Sequence, residues 1–247
     1  MIIDVYTFCW NEEIRLPYFL RLWGPIARRI IIYDNGSTDK SREIALKYPN
    51  VVWDTVTYGQ NEINDTKLCY IKNNCWKQNR DADLCFVGDM DEFTYHPQGI
   101  VNFTREALDA GFTVFKPLIC DMISKEEPSH PGMIWDNENY KYGIKIIDKK
   151  NLNKVNLFSP KSIEDMNYGC GAHQASPKGK VKIFYHEDFK MLHYKMIGKN
   201  FLTRLKDSGK RLSETNIRNG HGVHYNFSVK KHVEYFNNAN SNKEKLI

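Results

Sequence analysis

Strand-like and helix-like segments alternate along the first 120 residues, and this alternation restricts the fold more than any other feature of the chain. Short apolar runs rich in β-branched residues predict strands at 2–8, 29–33, 51–53, 84–87 and 113–119. Apolar residues at helical spacing predict helices at 12–23, 40–47, 65–79 and 98–110. We therefore predict an α/β fold with a single, mostly parallel, Rossmann-like sheet flanked by helices.

The remaining residues give weaker signals. A long loop is expected at 124–142, and residues 145–147 and 155–158 are expected to pair as a hairpin. Two strands follow at 181–185 and 191–194, then helices at 201–206 and 229–236, and residues 237–245 are expected to fray. Asn11 is the expected N-cap of the helix at 12–23, with Glu12 and Glu13 in its first turn.

Composition narrows the range of partners and compartments. The net charge of +5 is small and scattered, which argues against nucleic acid and suits an anionic ligand or the face of an anionic membrane, so peripheral membrane contact stays open. The six cysteines form no CxxC pair and several lie in apolar runs, as buried free thiols in a reducing compartment do. Without a signal peptide or an apolar run of about 20 residues, a cytoplasmic protein is expected.

Polar residues follow three of the predicted strands, at 9–12, 34–36 and 88–92. In open α/β sheets, ligands bind beyond the carboxyl ends of the strands, so these clusters are expected to share one site. Asp89 and Asp91 can converge on one divalent cation, and Mn²⁺ or Mg²⁺ prefers such oxygen ligands. A solvated acidic turn is the alternative interpretation of the bare triplet, but the buried strand before it and Phe93 after it favour a metal site.

The segment 33–39 reads Tyr-Asp-Asn-Gly-Ser-Thr-Asp, in which a strand ends, the chain turns and a helix is capped. A well-made turn explains Gly36 and Ser37, but it does not explain Asp34 at the end of the strand. A carboxylate in that place can accept the imide N–H of a uracil or thymine ring.

Together, the segments 7–13, 33–39 and 89–93 resemble, in order and spacing, the three N-terminal motifs of family-2-type nucleotide-sugar glycosyltransferases of GT-A fold. The resemblance covers residues 2–120 and continues more weakly to 206. It implies a catalytic domain at 1–206, with a nucleotide-binding half at 1–120 and an acceptor-binding half at 121–206, followed by a polar, partly helical extension at 207–247.

The resemblance also implies roles for individual residues. Asp89 and Asp91 would form the DxD motif that binds the metal and diphosphate, Asp34 would contact the nucleobase, and Phe8, Asn11 and Glu12 would line the nucleotide pocket.

A later segment, Met-Leu-His-Tyr-Lys at 191–195, resembles the C-terminal His-Tyr motif of the small branch whose DxD reads Asp-x-Asp-Glu-Phe. By that resemblance His193 would complete the metal shell, while Lys195 and Lys199 would neutralise the departing diphosphate. A satisfied structural histidine is the alternative for His193. His173, in the glycine-rich segment 169–174, could bind the donor or the acceptor, and a plain glycine-rich turn is an equally good interpretation.

The expected reaction is transfer of a sugar from a nucleotide sugar, with a UDP-sugar favoured, to a hydroxyl of a glycan or glycoconjugate. The resemblance implies inversion, which needs a carboxylate base. Asp165, with its neighbour Glu164, is the first candidate and Asp121 the second; a retaining mechanism stays open.

A nucleotidyltransferase is one alternative, but it would need a glycine-rich, basic loop after the first strand, which this chain lacks. A catalytically inactive sugar- or nucleotide-binding module is the other alternative.

Overall fold

The computed structural model describes residues 1–55, 57–58, 61–129, 131–146 and 154–247. Its strands are β1 (Ile3–Cys9), β2 (Arg29–Asp34), β3 (Val51–Asp54), β4 (Leu84–Asp89), β5 (Glu92–Tyr95), β6 (Val114–Ser124), β7 (Tyr142–Ile146), β8 (Leu157–Phe158), β9 (Ile163–Asp165), β10 (Lys178–Gly179), β11 (Ile183–Ile197) and β12 (Glu244–Lys245). Its α-helices are α1 (Leu16–Trp23), α2 (Ser41–Ala45), α3 (Asp65–Asn74), α4 (Ile100–Asp109), α5 (Phe201–Lys210), α6 (Glu214–Asn219) and α7 (Val229–Ser241).

The predicted α/β architecture is confirmed. Strands β3, β2, β1 and β4 lie side by side and run parallel. The two-residue strand β8 is antiparallel to both β4 and β6, so β4 and β6 share one direction. Strand β11 continues the sheet parallel to β6, while β5, β7 and β12 add antiparallel pairings. The sheet is therefore mixed, with its long strands parallel.

Both faces of the sheet are covered, which explains why β1 is buried along its whole length. Ile3 and Val5 point to a core that contains α1, whereas Tyr6 points to a second core on the opposite face. On the first face, the ring of Trp23 lies 4.9 Å from the ring of Phe86, centroid to centroid. Alternate residues of one strand thus pack into two layers, one on each face of the sheet.

The helix after β1 begins later than predicted, at Leu16 rather than at Glu12. Residues 12–15 form a turn in which Glu12 accepts the backbone N–H of Leu16. Asn11 has a positive φ of 53° and does not cap this helix, because its side chain accepts the backbone N–H of Thr38 at 2.8 Å. The predicted N-cap is therefore wrong: Asn11 ties the first strand-end loop to the second.

The predicted hairpin between 145–147 and 155–158 is also wrong for the described residues, and Ile147 lies outside them. Strand β7 pairs with β6 and β12, whereas β8 pairs with β4 and β6. The expected strands at 181–185 and 191–194 form one long strand, β11, whose register against β6 shifts between Tyr185 and Lys190. Between the end of β6 and the start of β7 at Tyr142, the regular elements among the described residues are two 3₁₀ turns, Ile134–Asp136 and Glu138–Tyr140, as expected of a loop.

The expected fraying of residues 237–245 is wrong as well. Helix α7 continues to Ser241, and β12 then pairs with β7, so that Leu246 is buried and its N–H donates to the carbonyl oxygen of Lys141. The stabilising partner is distant in sequence, and local composition could not reveal it. No helix among the described residues is long and apolar enough to cross a bilayer.

Candidate active site

The register of the parallel strands brings two of the predicted strand-end clusters into direct contact. Phe8 of β1 lies opposite Tyr33 of β2 on one side and opposite Asp89 of β4 on the other. Cys9 lies opposite Asp34. The carboxyl ends of β1, β2 and β4 therefore finish at one edge of the sheet, where an α/β fold binds its ligands.

A tight turn between β4 and β5 carries both acids of the DxD segment. The N–H of Asp89 donates to the Glu92 carboxylate at 3.2 Å, and Glu92 is almost completely buried. Gly88 has to be glycine, because a Cβ there would meet the Phe86 ring at 2.6 Å and the Glu92 carboxylate at 3.0 Å. The glycine and the buried glutamate fix the direction in which the two aspartates leave the sheet.

Two lysines neutralise Asp89. Lys72 of α3, which is only 2% exposed, donates to Oδ1 of Asp89 at 2.7 Å, and Nζ of Lys154 lies 3.8 Å from Oδ2. Lys154 also pairs with Glu92 at 2.8 Å. Burial disfavours the charged carboxylate, but Lys72 and Lys154 outweigh that effect and hold the pKa of Asp89 below its usual value. Neither lysine was predicted as a site residue, because each reaches Asp89 only through the folding of the chain and lies far from it in sequence.

Asp91 faces His193 across the end of the sheet. Nε2 of His193 lies 3.6 Å from Oδ2 of Asp91, and Nδ1 lies 2.9 Å from Oδ1 of Asp121. Strand pairing sets this arrangement, since β11 places His193 opposite Asp121 on β6 and opposite Glu92 on β5. Burial disfavours the imidazolium, but Asp91 and Asp121 outweigh it and raise the pKa of His193 to about 9. A bound cation would take the place of that proton.

Glu12 and Arg15 form a buried pair behind Asp91. Arg15 donates to both carboxylate oxygens of Glu12, at 2.6 and 2.8 Å, and its Nη1 lies 3.8 Å from the Asp91 carboxylate. The same Nη1 donates to the carbonyl oxygen of Tyr194 at 3.3 Å. Two parallel hydrogen bonds fix a guanidinium rigidly, so Glu12 holds the positive charge of Arg15 against the second aspartate of the DxD.

These groups surround a cleft of about 630 Å³. We call it the main cleft. The predicted site residues that line it are Phe8, Asn11, Glu12, Asp89, Asp91, His173, His193 and Lys195. Further lining groups that the sequence did not single out for the site are Arg15, Asp65, Lys154, Arg204, Arg211 and Tyr225. The volume falls within the range of small-molecule sites.

The C-terminal residues form the outer wall of the main cleft. The guanidinium of Arg211 stacks on the ring of Trp10, 3.5 Å from its centroid, and Trp10 donates to the side chain of Asn61 at 2.9 Å. Asn216 of α6 accepts the backbone N–H of Asp65 at 2.8 Å. The segment from 207 onward thus packs on residues of the first half of the chain and adds His221 and His224 to the wall of the cleft.

Five predicted site residues are not among those that line the main cleft, and one of them, Asp121, contacts His193 from outside that lining. Asp34 is buried, accepts the N–H of Ser37 at 3.0 Å and is not among the residues that line the cleft. Lys199 is exposed after the end of β11, outside that lining. Asp165 pairs with Lys77 at 2.7 Å, and Glu164 beside it is exposed; neither lines the cleft. Gly171 leaves room for the ring of His173, which a Cβ would meet at 2.7 Å.

Asp91 and His193, at this edge of the sheet, could form part of the coordination shell of Mn²⁺ or Mg²⁺. Two ligand atoms that each lie about 2.1 Å from one ion are at most about 4.2 Å apart, and the Asp91 and His193 atoms are 3.6 Å apart. No group of three or more His, Cys, Asp or Glu residues within the described ranges forms a complete cation site. Mg²⁺ and Mn²⁺ usually take waters or substrate phosphates as further ligands, so an incomplete protein shell is compatible with a metal–diphosphate.

Comparison with family models and with curated proteins gives no match for this chain. Among solved structures, it is similar to glucosyl-3-phosphoglycerate synthase from Mycobacterium tuberculosis in complex with Mn²⁺, uridine diphosphate and glucosyl-3-phosphoglycerate, with 20% identity and a TM-score of 0.34 over 48% of this chain and 44% of that one. A mycobacterial protein gives 21% identity and a TM-score of 0.34 over 49% and 41%. The chain thus spans less than half the length of either protein, and likeness at this level does not establish a family.

Proposed function

We propose that this protein is a metal-dependent glycosyltransferase that moves a sugar from a nucleotide sugar, with a UDP-sugar favoured, to a hydroxyl group of an acceptor. The observation that supports this most strongly is the convergence of Asp89 and Asp91 at the end of β4 with His193 of β11, at the sheet edge where Phe8 and Asn11 also lie. The motif resemblance, which rests on the same residues, supports the same activity.

Asp91 and His193 would bind the ion directly. Asp89, which is paired with Lys72 and Lys154, would lie beside the ion and its diphosphate. The metal supplies electrostatic stabilisation of the charge that develops on the leaving diphosphate. Lys195 and Lys154 line the same cleft and add positive charge there. Burial lowers the pKa of Lys195, against the opposing effect of Asp91, which marks a desolvated ammonium that a diphosphate would stabilise.

The nucleoside would lie along Phe8, Tyr58 and Asn35, which line the main cleft beyond the acids. Asp34 shapes this region from behind, because its carboxylate holds the turn that presents Asn35 and Ser37. Direct contact of Asp34 with the nucleobase remains our prediction from the resemblance. The Trp10–Arg211 stack would close the outer end of the nucleotide pocket.

In the transfer, the acceptor oxygen forms a bond to the anomeric carbon while the bond from that carbon to the diphosphate oxygen breaks. The diphosphate leaves with the electron pair, and the acceptor proton passes to a base or to water in the cleft. Inversion stays part of the proposal on the motif resemblance. Of the three predicted base candidates, Asp165 and Glu164 lie outside the cleft, and Asp121 contacts His193, so we assign Asp121 a positioning role.

Ligand-induced thermal stabilisation tests the proposal. UDP with Mn²⁺ should raise the Tm of the protein, UDP with EDTA should not, and Asp91→Ala should abolish the metal-dependent part. Asp109→Ala, an exposed residue at the end of α4, is the matched control and should behave as the wild type. Slow hydrolysis of the preferred nucleotide sugar, abolished by EDTA, is expected as well. Absence of any shift with UDP, GDP and dTDP would contradict the proposal.

A further inference from the structure

A second cavity of about 380 Å³ opens from the inner end of the main cleft. We call it the side cavity. The two spaces share lining residues, including Lys154, His173, His193 and Lys195. A molecule in the side cavity would therefore have one end beside the histidine that faces Asp91. That continuity connects the side cavity to the site at which transfer is proposed to occur.

The far wall of the side cavity is apolar. Its apolar side chains are those of Ile119 of β6, Ile146 of β7, Met196 of β11, Tyr235 of α7 and Phe227, which precedes α7. Phe201 and Leu205 of α5 line both the side cavity and the main cleft. Met196 is 6% exposed, whereas Phe227 is 40% and Tyr235 51% exposed, so the apolar wall continues from the core to the surface. The cavity is thus open to solvent at the end away from the acids.

Most polar groups of the side cavity lie at the end that it shares with the main cleft, whereas Lys231 and His232, beside Phe227, line only the side cavity. Asp121 is the one acid among its described lining residues, and it contacts His193. At the rim, the ammonium of Lys231 lies over the ring of Phe227, 3.5 Å from its centroid. The side cavity therefore has a polar end at the proposed metal ligands and a mainly apolar end towards solvent, where Lys231 and His232 are its polar groups.

We propose that the side cavity binds the apolar portion of an amphiphilic acceptor, whose hydroxyl lies at the inner, polar end. The proposal rests on the proposed function and narrows its acceptor class. A plain glycan would lose hydrogen bonds to water against Ile119, Ile146, Met196 and Leu205 without replacing them, which is costly. A hydrophobic group attached to the acceptor sugar, by contrast, gains from leaving water at that wall.

Alkyl β-D-glucopyranosides with methyl, butyl and hexyl groups are suitable probes, used below their micelle concentration. Calorimetric titration should show affinity rising about fourfold per methylene group that enters the cavity. Phe227→Ser and Tyr235→Ser should each reduce the gain from methyl to hexyl by about tenfold. Tyr70→Ser is the matched control, because Tyr70 is 70% exposed on α3 and lines neither cavity. Mass spectrometry should detect the sugar transferred to the hexyl glucoside.

Affinity that does not depend on chain length would overturn the proposal, as would equal losses in Tyr70→Ser and Phe227→Ser. The titrations need neither metal nor nucleotide, so they separate the two hypotheses. If UDP and Mn²⁺ stabilise the protein but methyl and hexyl glucosides bind alike, the transferase survives and the amphiphilic acceptor does not. If chain-length dependence is seen without any nucleotide effect, the side cavity is not an acceptor site.

Discussion

Replacement of Asp121 tests how the sheet builds the metal site. Its carboxylate lies 2.9 Å from Nδ1 of His193, and Nε2 of the same ring faces Asp91 at 3.6 Å. A hydrogen bond from Nδ1–H to a carboxylate fixes the orientation of the imidazole and leaves the Nε2 lone pair free for the ion. In Asp121→Ala the ring loses this partner and can rotate or adopt the other tautomer.

The size of the effect follows from the contact. A hydrogen bond to a charged group contributes about 1.5–3 kcal/mol, and loss of an outer partner of a metal-bound histidine typically costs about 10- to 100-fold in affinity. Both side chains are largely buried, with 16% of His193 and 19% of Asp121 exposed, so water replaces the carboxylate poorly. We expect Asp121→Ala to weaken Mn²⁺ binding in the presence of UDP by about tenfold or more.

Electron paramagnetic resonance of free Mn²⁺ during a titration measures this affinity directly, without turnover. Asp121→Asn should lie between the wild type and Asp121→Ala, because its amide oxygen still accepts from Nδ1–H. Asp109→Ala on α4 should bind as the wild type does. The reasoning is refuted if Asp121→Ala keeps wild-type Mn²⁺ affinity while His193→Ala loses it. If Asp121→Ala acted only by destabilising the fold, its Tm would fall, and Asp121→Asn would not recover part of the lost Mn²⁺ affinity.

Two further predictions concern packing and access. Trp23→Ala should lower the free energy of unfolding by about 3–5 kcal/mol, since Trp23 is fully buried against Phe86. Trp23→Phe should cost less, because a phenyl ring still fills most of the space that alanine would leave empty. Chemical denaturation measures both. Cys170, exposed at the main cleft, should be the first thiol alkylated at pH 8 and should be protected by UDP with Mn²⁺. Cys120 should stay unreactive, because burial raises its pKa to about 11. Peptide mapping, with Cys170→Ser as control, identifies the alkylated thiol, and a different thiol reacting first would contradict the prediction.

The sequence predicted those parts of the fold and site that depend on neighbouring residues. Strands β1, β2 and β4 were predicted from continuous apolar runs, and the polar residues after them do finish at one edge. Asp89, Asp91 and Phe8 line the main cleft because strand ends in parallel register must meet there. These predictions needed only local pattern and the geometry of parallel sheets.

Contacts between residues far apart along the chain were not predicted. The contact between His193 and Asp121 spans 72 residues and depends on the register of β11 against β6, which no local pattern specifies. The role of Lys72 was equally hidden, since a lysine within a helix is normally solvated, yet here it is buried against Asp89. Strand β12 is two residues long and forms only because β7 offers it an edge.

The charges around the DxD segment explain why its acids can lie together before any ligand arrives. Asp89 is neutralised by Lys72 and Lys154, while Asp91 faces Arg15 and a protonated His193. A divalent ion entering alone would meet these cations and add to an already balanced set. A divalent ion that arrives with a diphosphate brings negative charge that Lys154 and Arg15 can stabilise, because opposite charges within a few ångströms attract strongly in a desolvated cleft. The protein charges therefore favour joint binding of metal and nucleotide, and such coupling is reciprocal. Joint binding also fits a site in which the described residues do not form a complete ion shell, because phosphate oxygens supply further ligands to such an ion.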